Sequence, residues 1–347
     1  MFKKGLSIYT GLKDYPLEKN LEYLKLANEL GYEFLFSSAH INEASQAFND
    51  LQLIIDTAYE YGIKLSLDIS KPAMAKFKDF NHLYALRLDY GFTHEEIVEM
   101  SNTKPYKVEL NASTLKAEDL EKLVLLGLNV KNVRASFNFY PKLYTGHDME
   151  YVKEKIKLFS KFGISILVFI PSHKGMRPPM YEGLPTIEKH RTMDLALVIE
   201  DLKALGVDEI AFGDAYASRE ELELLKAHQT DYLILPFKKA EGLPDALLEH
   251  LKGEFQIRRD YNDLMLRSTT SRTKESIVPF NTIERTENMV TIDNDNFLRY
   301  RGEINIITKA LPKDERTNVV GMVNLTENIV SALKRGQKFI FGVNIND

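Results

Sequence analysis

The sequence predicts an α/β chain, a (β/α)8 barrel followed by a small β-rich domain. Three observations carry this expectation. A helix–glycine–strand unit recurs along the first two thirds, eight strand-like segments fall in the same stretch, and the texture changes after about residue 231.

The recurring unit reads "LANELGYEFLF", "AYEYGIKLSL", "VLLGLNVKNV", "FSKFGISILV" and "DLKALGVDEIAF", with glycines at 31, 62, 127, 163 and 206. A glycine just past a helix end takes the left-handed cap conformation without a Cβ penalty. Such units in series imply βα repeats on a parallel sheet. In order, the strands are expected at Gly5–Tyr9, Glu33–Ser37, Lys64–Ser70, Leu83–Asp89, Lys107–Ser113, Val133–Asn138, Ser165–Ile170 and Glu209–Gly213. Helices follow most of them. One opens at Thr93, where "THEE" is a capping box with Glu96, and another runs from about Ser218 through "REELELLKAHQ". Eight such units in about 230 residues fit a barrel. The rival, a doubly wound open sheet, would want a glycine-rich dinucleotide fingerprint after the first strand, and none follows it.

The barrel is expected over residues 1–235 and the second domain over 236–347. Extended segments there are "YLILPF", "NMVTI", "EINIITKAL" and "KFIFGV", with "PDALLEHL" as the one clear helical pattern. This texture reads as a small β-rich unit.

Bulk composition narrows the function. The 347 residues are 44% hydrophobic and 27% charged, with a net charge of −5, which argues against a general nucleic-acid surface. The absence of cysteine excludes disulfides, a thiol nucleophile and Cys-ligated metal. The longest apolar run, "ISILVFI", is too brief to span a bilayer, and "MFKKGLSIYTG" is too short in apolar residues for a signal-peptide core. A soluble, cytoplasmic protein with no membrane partner is expected; its oligomeric state is left open.

Strand alternation supplies the candidate site. Strand 4, "LYALRLDYGF", points Leu86 and Leu88 outward and Ala85, Arg87 and Asp89 into the barrel. Strand 3 sends Ser66, Asp68 and Ser70 inward, strand 5 Glu109, Asn111 and Ser113, strand 6 Arg134, Ser136 and Asn138, and strand 1 Ser7 and Tyr9. Barrel interiors are normally filled by branched apolar residues. Four consecutive strands with polar interiors therefore point to a ligand at the C-terminal mouth. Asp214, at the tip of strand 8, shares the parity of Ile210 and Phe212, so it is expected to act from the turn beyond the strand. Arg87 with Asp89, and Arg134 with Glu109, also read as buried ion pairs that hold register.

Other chemistries fit less well. Lys64 and Lys107 sit at the wrong strand ends for a Schiff base, and strand 1 carries Tyr9 and Thr10 where a pyridoxal-phosphate lysine would belong. Strand 1 has no paired histidines. His40 and His173 follow strands 2 and 7 but lie far apart in sequence, so they read as substrate hydrogen-bonders or surface groups rather than metal ligands. No cofactor and no metal is expected. What remains is a set of carboxylates with arginines, serines, asparagines and Tyr9, the working parts of a glycosidase acting on an anionic sugar. The long loop "PSHKGMRPPMYEGLP" offers Lys174 and Arg177 as a cover. The most basic segment, "QIRRDYNDLMLRSTTSRTKE", offers Arg258, Arg259, Arg267 and Arg272 with Ser268, Thr269 and Ser271 as a phosphate clamp. A sugar-phosphate isomerase or lyase, and a non-catalytic sugar-phosphate sensor, stay open on these residues alone.

Taken with their order, "GLSIY", "LSLDIS", "LRLDYGF", "VELNAST", "FGDAYAS" and "RSTTSR" make the chain resemble the 6-phospho-N-acetylmuramidase family over nearly its whole length. The resemblance implies a (β/α)8 barrel followed by a cyclophilin-like β-barrel. It also implies hydrolysis of the disaccharide of N-acetylmuramic acid 6-phosphate and N-acetylglucosamine during cell-wall (peptidoglycan) recycling. Catalysis is expected from two of Asp68, Asp89, Glu109 and Asp214. Tyr9, Arg87, Asn111, Arg134, Ser136, Asn138 and His173 are expected to bind the sugars, and Arg267, Ser268 and Arg272 the phosphate.

Overall fold

A computed structural model of the chain describes residues 1–39, 45–75, 77 and 80–343. His40 lies outside them. The chain divides into two compact units, Met1–Leu195 with Val207–Gln229, and Ala196–Gly206 with Thr230–Asp347.

The first unit is a closed barrel of eight parallel strands in sequence order, β8 returning to pair with β1. The strands are β1 (Lys3–Ser7), β2 (Phe34–Ser38), β3 (Lys64–Ile69), β4 (Ala85–Leu88), β5 (Lys107–Asn111), β6 (Val133–Ser136), β7 (Ile166–Ile170) and β8 (Glu209–Phe212). Helices α1 (Leu17–Glu29), α2 (Ser45–Glu60), α3 (Lys71–Met74), α4 (His94–Thr103), α5 (Ala117–Leu125), α6 (Met149–Lys161), α7 (Leu195–Leu205) and α8 (Arg219–Ala227) follow the strands in turn; α7 groups with the second unit. The expected helix ends are present. Gly31, Gly62, Gly127, Gly163 and Gly206 all have φ between 67° and 95°, and Thr93 and Ser218 both form complete capping boxes. The outward faces of β3 to β6 are apolar and buried, as Leu65, Leu67, Leu86, Val108, Leu110 and Ala135 show.

The second unit is a curled six-stranded sheet of order β10-β12-β11-β13-β9-β14. Its strands are β9 (Leu233–Lys239), β10 (Met265–Arg267), β11 (Met289–Asp293), β12 (Ile304–Ile307), β13 (Thr317–Val323) and β14 (Phe339–Val343). Both edges meet the extended segment 255–257, through Phe255 against Phe339 and Ile257 against Ser268. One face packs Leu266, Val290, Ile292, Ile304, Ile306 and Phe339 into a single apolar cluster. Helix α9 (Asp245–His250) is the "PDALLEHL" pattern. A second helix, α10 (Glu327–Lys334), corrects the expectation of only one. Its signal was present: Thr326 caps Ile329, and Ile329 and Leu333 recur at helical spacing on its buried face. Among the described residues no helix is long and apolar enough to cross a membrane.

Candidate active site

The inward residues of the barrel form two halves. Phe36, Phe139 and Phe169 meet edge to face, with centroids 5.1 to 5.9 Å apart, and Tyr9 joins Phe139 at 6.0 Å. These contacts join β2 to β7 across the lumen, so they are interior. The opposite half, from β3 to β6, is polar, as alternation predicts.

The polar half is layered. Deepest is Arg134, whose Nη2 pairs with Glu209 and whose Nε lies 3.1 Å from Glu109, with the guanidinium 4.0 Å over the Phe34 ring. Glu109 also accepts from the Ser66 hydroxyl at 2.8 Å. Arg134 is 1% exposed and Glu109 not at all, so both sit in the barrel floor. Glu209, which sequence reading did not single out, is the second anion that balances Arg134. Burial nonetheless raises its pKa, with Arg134 opposing.

Above this layer stands Arg87, with all three of its nitrogens engaged. Its Nε donates to Ser136 Oγ at 2.7 Å, Nη1 to Asp68 Oδ1 at 2.6 Å and Nη2 to Asn138 Oδ1 at 2.5 Å. Burial opposes its charge, but the facing Asp68, Glu109 and Asp89 carboxylates more than offset this and raise its pKa. Asp89 Oδ1 lies 4.0 Å from the same Nη1. Arg87 is thus hydrogen-bonded to Asp68, and Asp89 is its outer neighbour rather than its chief partner. With 2.6 and 4.0 Å to one nitrogen, the nearest oxygens of the two acids are at most about 6.6 Å apart. Asp68 is the more enclosed, 13% exposed against 33% for Asp89, and its Oδ2 accepts from Ser38 at 3.2 Å.

Asp214 is placed differently. It is fully buried, and its carboxylate accepts from the backbone N–H groups of Ser172, Arg177 and Leu184, each at 2.9 Å. Burial pushes it up to about 6 against those three bonds. It pins both ends of the loop after β7. The same loop is held by Arg191, which donates to the carbonyls of Tyr140, Glu182 and Gly183 and pairs with Glu188 at 2.7 Å. Arg191, with the Tyr144 and Gly146 N–H groups, holds Glu188 down at about 2, against burial. So fixed, the loop lays the Arg177 guanidinium 4.6 Å over the Tyr9 ring and 5.2 Å from Phe139.

The remaining candidates are distributed. The Tyr9 hydroxyl donates to the Gly213 carbonyl at 2.7 Å, and burial raises its pKa. Asn111 Oδ1 accepts from the Ser113 N–H at 3.0 Å, and His173 is exposed while its own N–H donates to Glu221. Sequence reading missed His147, whose Nε2 sits 2.8 Å from the Tyr140 hydroxyl and 2.9 Å from Ser113 Oγ; no spacing marks it, because it comes from the loop after β6. In the second unit, Arg267 and Arg272 share Glu303, at 2.6 and 2.5 Å. Ser268 is buried and bonded to Ser271.

Known proteins align with this architecture along its length. Models described as 6-phospho-N-acetylmuramidase, N-terminal and C-terminal, match residues 4–227 and 233–342. Two crystal structures are similar to the chain: an uncharacterized B. cereus protein, and a conserved protein from Enterococcus faecalis with an unknown function. The first is 28% identical, covers 99% of this chain and 100% of its own and has a TM-score of 0.87. The second is 27% identical, covers 99% and 96% and has a TM-score of 0.75. Among curated proteins none matches the chain.

Proposed function

The chain belongs to the 6-phospho-N-acetylmuramidase family, and from that premise we propose that it hydrolyses the bond between N-acetylmuramic acid 6-phosphate and N-acetylglucosamine. The observation that carries the reading is the pair Asp68 and Asp89 on one immobilised guanidinium. A carboxylate held beside the anomeric carbon favours an oxocarbenium-like transition state. Both Asp68 oxygens accept hydrogen bonds, from Arg87 and Ser38, so Asp68 is the fixed anion that stabilises positive charge at the anomeric carbon. Asp89 lies beyond hydrogen-bond reach of Arg87 and is more exposed, so we assign it the proton donated to the leaving oxygen. In the second half of the reaction it takes a proton from the attacking water. We take the pair as retaining, direct or assisted by the substrate's N-acetyl group; the bound of about 6.6 Å on its nearest oxygens accommodates the retaining separation of about 5–5.5 Å.

Glu109 and Asp214 drop out of the pair for physical reasons: one is sealed in the floor, the other is spent on three backbone donors. Arg177 and Asn138 are our candidates for sugar contacts at the mouth, Arg177 through the lactyl carboxylate. Arg267, Ser268 and Arg272 remain our candidates for the phosphate. We place the reaction in cytoplasmic recycling of cell-wall sugars. The test is to incubate the protein with the 6-phosphorylated disaccharide and, separately, its unphosphorylated twin, and follow both by mass spectrometry. Cleavage of the phosphorylated form alone supports the reading; no cleavage of either sinks it.

A further inference from the structure

His147 has no part in the chemistry assigned so far, yet an unbroken run of hydrogen bonds leads from it to the Arg87–Asp68 pair. Its backbone is fixed first. The His147 N–H donates to the Thr186 carbonyl at 2.9 Å, and its carbonyl accepts from the Glu188 N–H at 3.0 Å. The imidazole stacks on Tyr151 at 4.5 Å and meets Tyr140 edge-on at 5.0 Å. So confined, its Nε2 stands 2.9 Å from Ser113 Oγ and 2.8 Å from the Tyr140 hydroxyl. Burial and the Lys155 charge lower its pKa, with Asp148 opposing, so at neutral pH the ring is an uncharged hydrogen-bonding group.

Ser113 passes the restraint on. Its Oγ accepts from the Asn138 N–H at 2.8 Å, and its carbonyl accepts from the Tyr151 hydroxyl at 2.8 Å. The Asn138 carbonyl accepts from Thr186 Oγ1 at 2.9 Å, and its side-chain Oδ1 from Arg87 Nη2 at 2.5 Å. His147 touches both Ser113 and Thr186, so it braces the Asn138 backbone from both sides. The arginine donor also decides which end of the carboxamide is oxygen, and the amide nitrogen is the other end. Among the described residues that nitrogen has no partner, and Asn138 is part-exposed at the mouth. Such precision matters, because a displacement of about 1 Å can cost on the order of 100-fold in rate.

We propose that His147 is a positioning residue of the mouth: through the Ser113 hydroxyl it fixes Asn138, which orients the Arg87–Asp68 pair and presents its amide nitrogen to the sugar. The proposal rests on the hydrolase reading for its effect on turnover, while the bracing itself is measured without substrate. His147→Phe keeps the ring stack and removes the nitrogen. Amide exchange followed by NMR on the full chain should then run at least tenfold faster at the Asn138 N–H. It should stay within twofold at the Phe137 N–H, which donates to the Leu167 carbonyl instead. The kcat/KM for the phosphorylated disaccharide should fall at least tenfold, and His147→Gln, whose carboxamide can reach Ser113, should recover it to within threefold of wild type. Ser113→Ala alone should reproduce both effects, so the test stands even where His147→Phe unfolds the chain. Adding His147→Phe to Ser113→Ala should cost nothing further, because the relay is already cut. Exchange at Asn138 or kcat/KM within twofold of wild type in both single variants overturns the proposal. So does His147→Gln no more active than His147→Phe, or a fully additive double variant. A wild type that cleaves neither disaccharide sinks the hydrolase reading alone, and the exchange rates still decide whether His147 fixes Asn138.

Discussion

Arg87→Met tests whether one guanidinium organises the mouth. The substitution keeps the unbranched stem but removes the donors to Ser136, Asp68 and Asn138 together. The Asp68 carboxylate, 13% exposed, loses the guanidinium that donates to it at 2.6 Å. Removing one partner of a buried ion pair costs about 3–5 kcal/mol, a large part of the roughly 5–15 kcal/mol that holds a domain. Urea unfolding followed by circular dichroism or tyrosine fluorescence should show that loss, since the chain has no tryptophan. The double variant Arg87→Met with Asp68→Leu separates stability from chemistry. Replacing both charges by apolar groups should recover about 2 kcal/mol or more of the loss, while turnover of the phosphorylated disaccharide stays below a hundredth of wild type. A single variant within about 1 kcal/mol of wild type, or a double variant no more stable than the single, would refute the pairing argument.

Other expectations follow from the same contacts. Asp214→Ala strands the N–H groups of Ser172, Arg177 and Leu184; stability should fall by about 2–4 kcal/mol, the 172–184 loop should become protease-sensitive, and KM should rise more than kcat falls. A collapse of kcat at unchanged KM would instead make Asp214 catalytic. Burial and then Glu303 push Asp293 from 3.8 to about 7, so the folded chain holds that proton more tightly than the unfolded chain. Its contribution is therefore full below about pH 4 and lost as pH rises through 7. The urea midpoint should be lower at pH 8 than at pH 5 in wild type, and the difference should shrink in Asp293→Asn. Leu298 is 75% exposed at φ +53° and ψ −112°, where a Cβ is strained. Leu298→Gly should raise stability by about 0.5–1 kcal/mol after glycine's own entropy cost, and a lower melting temperature would contradict it.

The legible part of this protein was the part that local periodicity encodes. Glycine after a helix marks a βα unit because only it takes the left-handed cap cheaply, and period-two alternation names the inward residues of a strand wherever it lies. That was enough to predict an eight-stranded barrel and to put Asp68, Arg87, Asp89, Glu109 and Arg134 inside it. Strand β10 escaped because three residues offer too short a window, and β13 because Gly321 interrupts its pattern, whereas the cap and spacing of α10 were legible and passed over.

Parity gives a face but not a depth. Which inward residues meet depends on the stagger of strands around the closed barrel, which no single strand records. Only the tertiary structure decided that Arg87 bonds Asp68 more closely than its sequence neighbour Asp89, and that Arg134 descends to Glu209, 75 residues away. The same closure sealed Glu109 in the floor and left Asp68 and Asp89 at the mouth. Asp214 shows the limit most clearly, because its three partners are backbone N–H groups, which every residue but proline carries and no motif can mark.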